Sequence, residues 1–218
     1  MTDMLTDVEF LENILKKRRS VREYSENPVS ESEIIEIIRL ASLAPSGQNR
    51  QPWEFYAVTN REKILALSDI VKVKVDELSK HVDEDNASLF DRYRGFFTFF
   101  ASAPCLIAVA AKPYASIKTL FKEDFDIASS GLASDTTHIQ SASAAVMAML
   151  LAASARGIAA CWNTNVMIAG KEISKFLNIR APYELMCVVS LGYPKAGADN
   201  NIGTVKRHGA DKILKFIR

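Results

Sequence analysis

The sequence predicts a single α/β domain spanning residues 1–218. At 24.1 kDa, with 48% hydrophobic and 24% charged residues, the chain has the balance that builds one sizeable core. Stretches with apolar residues every three or four positions alternate with short β-branched and aliphatic runs, so helices and strands interleave along the chain. A formal net charge of +1 gives no electrostatic reason to expect nucleic acid or a membrane surface as partner. Cys105, Cys161 and Cys187 form an odd, unclustered set in apolar surroundings. That pattern points to reduced thiols in a cytoplasmic protein and to no metal site.

The elements follow in order. MTDMLTDVEF carries acids where an export signal would carry lysines, so no export is expected. Val8, Leu11, Ile14 and Leu15 recur at helical spacing and predict an amphipathic helix ending near Arg18. Arg18, Arg19 and Arg22 with Ser20 then cluster in RRSVREY; such a cluster suits either a solvated helix end or a phosphate dianion. Ser30 and Glu33 fit a capping box that opens a second helix, whose apolar face runs from Ile34 to Leu43 and stops at Ala44-Pro45.

Ser46, Gly47, Gln48, Asn49 and Gln51 follow as a small polar loop. Their amides and hydroxyls both donate and accept, which suits the edge of a flat heterocycle, although the same residues also make surface turns. Trp53 to Thr59 reads as a strand, and the charged stretch from Arg61 to about Asp85 as exposed helices. Phe90, Tyr93, Phe96, Phe97, Phe99 and Phe100 crowd one region, either as core or subunit interface or, through Phe96, Phe97 and Phe100, as a substrate lid.

PCLIAVAA, residues 104–111, has the continuous apolar pattern of a strand buried on both faces. Asp135 to Ala155 reads as a buried helix rather than a membrane span, because His138, Gln140 and several serines interrupt it. Gly157 ends it, Ile158 to Asn163 forms a strand or loop, a helix runs from about Gly170 to Leu177, and ELMCVVSL is the last central strand. A polar loop, 195–206, leads to Lys206-Arg207-His208 and a short C-terminal helix. No G-x-G-x-x-G, P-loop, H-E-x-x-H or G-x-S-x-G is present, and His81, His138 and His208 are scattered, which leaves Rossmann, NTPase, zinc-hydrolase and serine-hydrolase readings unsupported.

RRSVREY followed at this distance by APSGQNRQPWEF resembles the FMN-dependent nitroreductase family. The resemblance implies an α+β, nitroreductase-like three-layer fold with a central, mostly antiparallel sheet flanked by helices, in an intertwined homodimer with the long helix at its interface. It implies FMN as cofactor, with Arg18 and Arg207 as phosphate ligands and Arg19 and Ser20 near the phosphate or ribityl chain. The family separates its basic pair by one residue, whereas Lys206 and Arg207 are adjacent here, and Arg207 is preferred. Arg22 falls where a cation faces the pyrimidine edge and stabilises the anionic reduced flavin. Pro45, Ser46 and Asn49 fall where the family contacts the flavin from the partner subunit, Gln51 is a further cofactor-binding candidate in the same loop, and Cys161-Trp162 falls in the turn beside the ring.

The activity implied is NADH or NADPH oxidation coupled to reduction of nitroaromatics, quinones or similar small acceptors. Hydride passes through flavin N5 by a ping-pong mechanism with no side-chain acid or base. A flavin store or sensor without turnover and a dehalogenase-like relative are the alternatives.

Overall fold

The structure is a computed structural model that describes residues 6–114, 122, 136–197 and 207–217. The first helix, α1 (Asp7–Lys17), starts in a capping box between Thr6 and Glu9, and α2 (Glu31–Ala41) in the expected one between Ser30 and Glu33. Strand β1 (Trp53–Val58) precedes α3 (Arg61–Ser79) and α4 (Ala87–Thr98). Then come β2 (Cys105–Ala111), α5 (Thr137–Ala155), β3 (Ala159–Asn163), α6 (Gly170–Phe176), β4 (Glu184–Gly192) and the one-turn α7 (Ala210–Ile213).

The four strands make one sheet in the order β1-β2-β4-β3, and every pair is antiparallel. This is the α+β arrangement that the resemblance implies, not the parallel order of an α/β domain. β2 is buried at every position because it is central and covered on both sides. Its Cys105, Ile107 and Val109 pack with α2 and α5, while Leu106, Ala108 and Ala110 pack with α3 and α6. Side chains alternate across a strand, so one apolar run serves two helical layers.

Two expectations change. The stretch after β1 is not simply exposed: α3 buries Ile64, Leu67, Val71 and Val75, which share one face at helical spacing between charged neighbours. The helix expected from Asp135 is described from Thr137, and Asp135 lies outside the described residues. By length and composition α5 could cross a membrane, with a mean hydropathy of 1.3. Its Val146, Met149, Leu150 and Ala153 are instead taken up by the sheet and α2. At the end of β4, a Cβ on Gly192 would stand 2.6 Å from the Pro104 ring and 2.8 Å from that of Tyr24, so glycine is what lets these segments close.

Candidate functional site

The arginine segment is fastened to the edge of the sheet. Ser20 bridges to Ala160 of β3, Val21 N–H donates to the Ala160 carbonyl at 3.3 Å, and Tyr24 bridges to Pro194. Val21 and Tyr24 turn inward and are 4% and 5% exposed. The Tyr24 hydroxyl donates to the Val21 carbonyl at 2.7 Å and shares a hydrogen bond of 2.8 Å with Ser190 Oγ. Burial raises its pKa, against the hydrogen bond from Ser190. With these residues held, Ser20 and Arg22 are left exposed and Arg18 and Arg19 half-buried.

Arg18 and Arg19 line a groove of about 600 Å³ together with Glu12, Leu15 and Lys16 of α1, Met147 of α5, and Arg207. A smaller pocket of about 80 Å³ continues past Arg18 and Arg19 to Ser154, Gly157 and Ala160. Lys16 is paired with Glu12 at 2.5 Å. Among the described residues, no carboxylate lies within ion-pairing distance of Arg18, Arg19 or Arg207. Among the described residues, then, three guanidinium groups from the two ends of the chain face one groove without an ion-pair partner, the groove's Glu12 being paired with Lys16. That donor set fits a phosphate, which accepts bidentate charge-assisted hydrogen bonds. Lys206 lies outside the described residues.

The amide loop is at the other end of α5. Gly47–Asn49 is a single 3-10 turn, and Gln48, Asn49 and Gln51 all have positive φ, at 52°, 54° and 45°. Ser46 Oγ accepts from Gln51 N–H at 2.9 Å, and Arg50 bonds back to Gln48. A Cβ on Gly47 would meet the Tyr114 hydroxyl at 2.7 Å and Thr137 at 3.6 Å. The loop thus sits at the first residue of α5, whereas the arginine groove touches Met147 and Ser154; at 1.5 Å per residue these are about 15 and 25 Å away along the helix. Within one chain, Pro45, Ser46, Asn49 and Gln51 do not join the arginines.

Cys161 is 3% exposed in β3; burial raises its pKa, while nearby Arg22 and Arg18 and a hydrogen bond from Ser20 pull the other way. The Trp162 ring packs partly buried against the α2–α5 layer. The aromatic run divides. Phe96 is 43% exposed, whereas Phe100 is 2% exposed and Phe97 packs against the core and Phe90. Phe100 is therefore a core residue and not part of a lid, because the 3-10 turn after α4 sets its ring against the α3 layer, while Phe97 is half-buried against the same layer.

Arg22 stands over the rings of Phe96 and Phe99, at 5.7 and 5.6 Å from their centroids. Asn163 and Asn165 also belong to this region. Asn163 is 3% exposed and accepts from Asn165 N–H at 2.9 Å, with its own amide nitrogen unpartnered in the protein, and Asn165 donates to the Phe96 carbonyl at 3.5 Å. The amides directly after Trp162 were the signal available in the sequence.

Residues 15–193 match the model of the nitroreductase family. The chain belongs to the nitroreductase family. The motifs RRSVREY and APSGQNRQPWEF thus led to the right family. A protein of Archaeoglobus fulgidus provisionally named NADH dehydrogenase/NAD(P)H nitroreductase is 31% identical, over 84% of each chain. A 4-nitrobenzoate reductase of Nocardioides is 25% identical over 98% of this chain and 92% of its own. An iodotyrosine deiodinase of Danio rerio is 24% identical over 100% of this chain and 70% of its own.

Among solved structures, a BluB-like flavoprotein from Clostridium difficile superposes with a TM-score of 0.81 at 26% identity, covering 95% of this nitroreductase-family chain and 99% of the other. An FMN-dependent nitroreductase from Mycobacterium smegmatis, in complex with NADPH, gives 0.74 at 18% identity with 97% and 99% covered; it shares the fold.

Proposed function

We propose that this nitroreductase-family chain is an FMN-dependent oxidoreductase that draws electrons from NADH or NADPH and delivers them to small planar acceptors, nitroaromatics and quinones among them. The observation that carries this reading is the convergence of Arg18, Arg19 and Arg207 on one groove with no ion-pair partner of their own among the described residues. FMN held there would supply the hydride chemistry between a nicotinamide and a small acceptor. The chain's own residues do the rest. Arg18, Arg19 and Arg207 hold the phosphate, Ser20 and the β3 backbone at Cys161-Trp162 line one side of the cofactor, and Arg22 holds positive charge where electrons arrive.

The site is completed by a second copy. Pro45, Ser46, Asn49 and Gln51 are too far along α5 to reach their own chain's groove, and they serve the partner's. The apolar stripe of α1 supports a homodimer: Val8, Phe10 and Leu11 are 74%, 58% and 51% exposed on an amphipathic helix that buries none of its residues.

Reductive dehalogenation of an aromatic substrate is the second reading, favoured by the similarity to an iodotyrosine deiodinase along the whole chain. The deciding experiment is the visible spectrum of the purified protein, with heat release and chromatography of any yellow cofactor, followed by addition of NADH or NADPH. FMN near one per subunit, bleached by the nicotinamide and restored by a nitroaromatic, is the expected result. A colourless protein that fails to take up added FMN would overturn the proposal, and turnover confined to halophenols would select the second reading.

A further inference from the structure

We infer that Phe96 and Phe99 are positioning residues for the cofactor: backed by Ser102 and Asn165, they clamp the guanidinium of Arg22, and the clamped charge favours reduced over oxidised FMN. The inference rests on the reading above, in which Arg22 stands beside the flavin.

Arg22 owes its place to little else. Among the described residues it has no carboxylate within 4.0 Å, and its one side-chain hydrogen bond runs from Nη1 to the Ser20 carbonyl at 3.3 Å. Arg94 is the contrast in the same molecule: it lies over the Phe90 ring but is also paired with Asp91 at 2.7 Å and Asp76 at 2.6 Å. Arg22 has rings alone, Phe96 at 5.7 Å and Phe99 at 5.6 Å from its guanidinium carbon. Each ring attracts the cation through its face, and two faces leave it less room to turn than one.

The rings are themselves held. Phe96 lies near the end of α4, and Phe99 opens the 3-10 turn that follows. Ser102 Oγ is 3.1 Å from the Arg22 carbonyl and 3.0 Å from that of Phe99, so one hydroxyl ties the two segments. Asn165 Nδ2 donates to the Phe96 carbonyl at 3.5 Å, and Asn165 N–H donates to Asn163 Oδ1 at 2.9 Å. Asn163 is buried with its amide nitrogen unpartnered, a cost that an apolar residue would avoid. Its oxygen fixes the turn after β3 that carries Asn165. Neither the two rings nor the two asparagines line the phosphate groove.

Reduction places negative charge on the pyrimidine edge of a flavin, and a cation already in position stabilises it without reorganising. A guanidinium released from the rings keeps its charge but moves into water, where its attraction is weak. The oxidised ring lacks that charge, and the phosphate arginines set its affinity. The clamp therefore acts on the difference between the two redox states and not on occupancy.

The test is the midpoint potential of the FMN-loaded protein, measured beside the dissociation constant of oxidised FMN. Replacing Phe96 and Phe99 together by leucine should weaken the hold on reduced FMN about tenfold, the combined size of two exposed cation–π contacts. For a two-electron couple that lowers the potential by about 30 mV. Oxidised FMN should bind within about twofold of its original affinity, since the phosphate contacts are untouched. Tyrosine at both positions should restore the potential, and Asn165→Ala should give a smaller drop in the same direction. An unchanged potential in the leucine variant, equal loss of both redox states, or failure of tyrosine to rescue would overturn the inference. The Arg22 Nε–H resonance of the protein as purified, assigned by its loss in Arg22→Lys, reads the clamp without the cofactor. It should carry a ring-current shift that Phe96→Leu reduces, and an unshifted resonance would also overturn the inference. A shifted resonance in a protein that takes up no FMN would uphold the clamp and overturn the cofactor reading instead.

Discussion

The arginine segment and the amide loop are two polar stretches near the start of the chain, and they are held in opposite ways. Residues 18–24 borrow their rigidity from the sheet, through the Val21–Ala160 hydrogen bond and the buried Tyr24–Ser190 pair. Residues 45–51 are held mainly by themselves, with Ser46, Gln48, Asn49 and Gln51 bonding within the loop and three non-glycine residues at positive φ. The first arrangement presents charge from a fixed base. The second stores strain in a loop that points away from its own groove, as expected where a binding surface serves something outside its chain. Proximity in sequence says little about which residues share a site; α5 keeps these two apart.

The comparison breaks most sharply at the groove. Replacing both Arg18 and Arg207 by alanine should weaken FMN binding about 100-fold or more, two charge-assisted hydrogen bonds' worth, without lowering stability. A titration with added FMN beside an unfolding curve measures both. Asn49→Gly, which keeps the backbone conformation and removes the amide, should cost about tenfold in FMN affinity. Mixed dimers of this variant with the double-arginine variant should regain one tight site in two. If the loop instead served its own chain, no mixture would recover any.

Tyr24→Phe tests the fixed base. Leaving the Val21 carbonyl without its buried donor should cost about 1–3 kcal/mol in urea unfolding. Burial raises the Tyr24 pKa above its ordinary 10.0, opposed by its hydrogen bond to Ser190, so the neutral hydroxyl belongs to the folded state. Its contribution is complete below pH 10 and falls as pH rises beyond it, because the unfolded chain then ionises and the folded one does not. The phenylalanine variant should lose that part of the alkaline decline. The smallest effect is expected at Gln48→Gly. Relief of a left-handed residue is offset by the greater chain entropy of glycine, so the gain should not exceed about 1 kcal/mol in Tm-derived stability.

Much of the fold was legible because it is written locally. The Ser30–Glu33 capping box, the proline after Ala44 and the apolar runs that became β2 and β4 each act within a few residues, and their boundaries came out within a residue or two. The arginines of the site were legible for the same reason: three arginines within five residues are visible in one dimension. The aromatic run was not. One hundred degrees of helix rotation per residue and a turn of 3-10 helix from Phe99 separate an exposed Phe96 from a buried Phe100, and the letters alone do not say which side faces α3. The buried face of α3 was masked in the same way by its charged neighbours.

What the sequence determined by itself was therefore the mixture of elements and the polar residues worth watching, which rest on short-range periodicity, capping and composition, and, through the resemblance of two motifs alone, the family. Tertiary structure alone decided that Arg22 lies over the rings of Phe96 and Phe99 and that the amide loop stands at the far end of α5 from the arginine groove; it also brings Arg207 beside Arg18, as the resemblance implied. Each of those depends on which surfaces are buried together across long separations, and that is set by packing on the sheet rather than by any local preference of the chain.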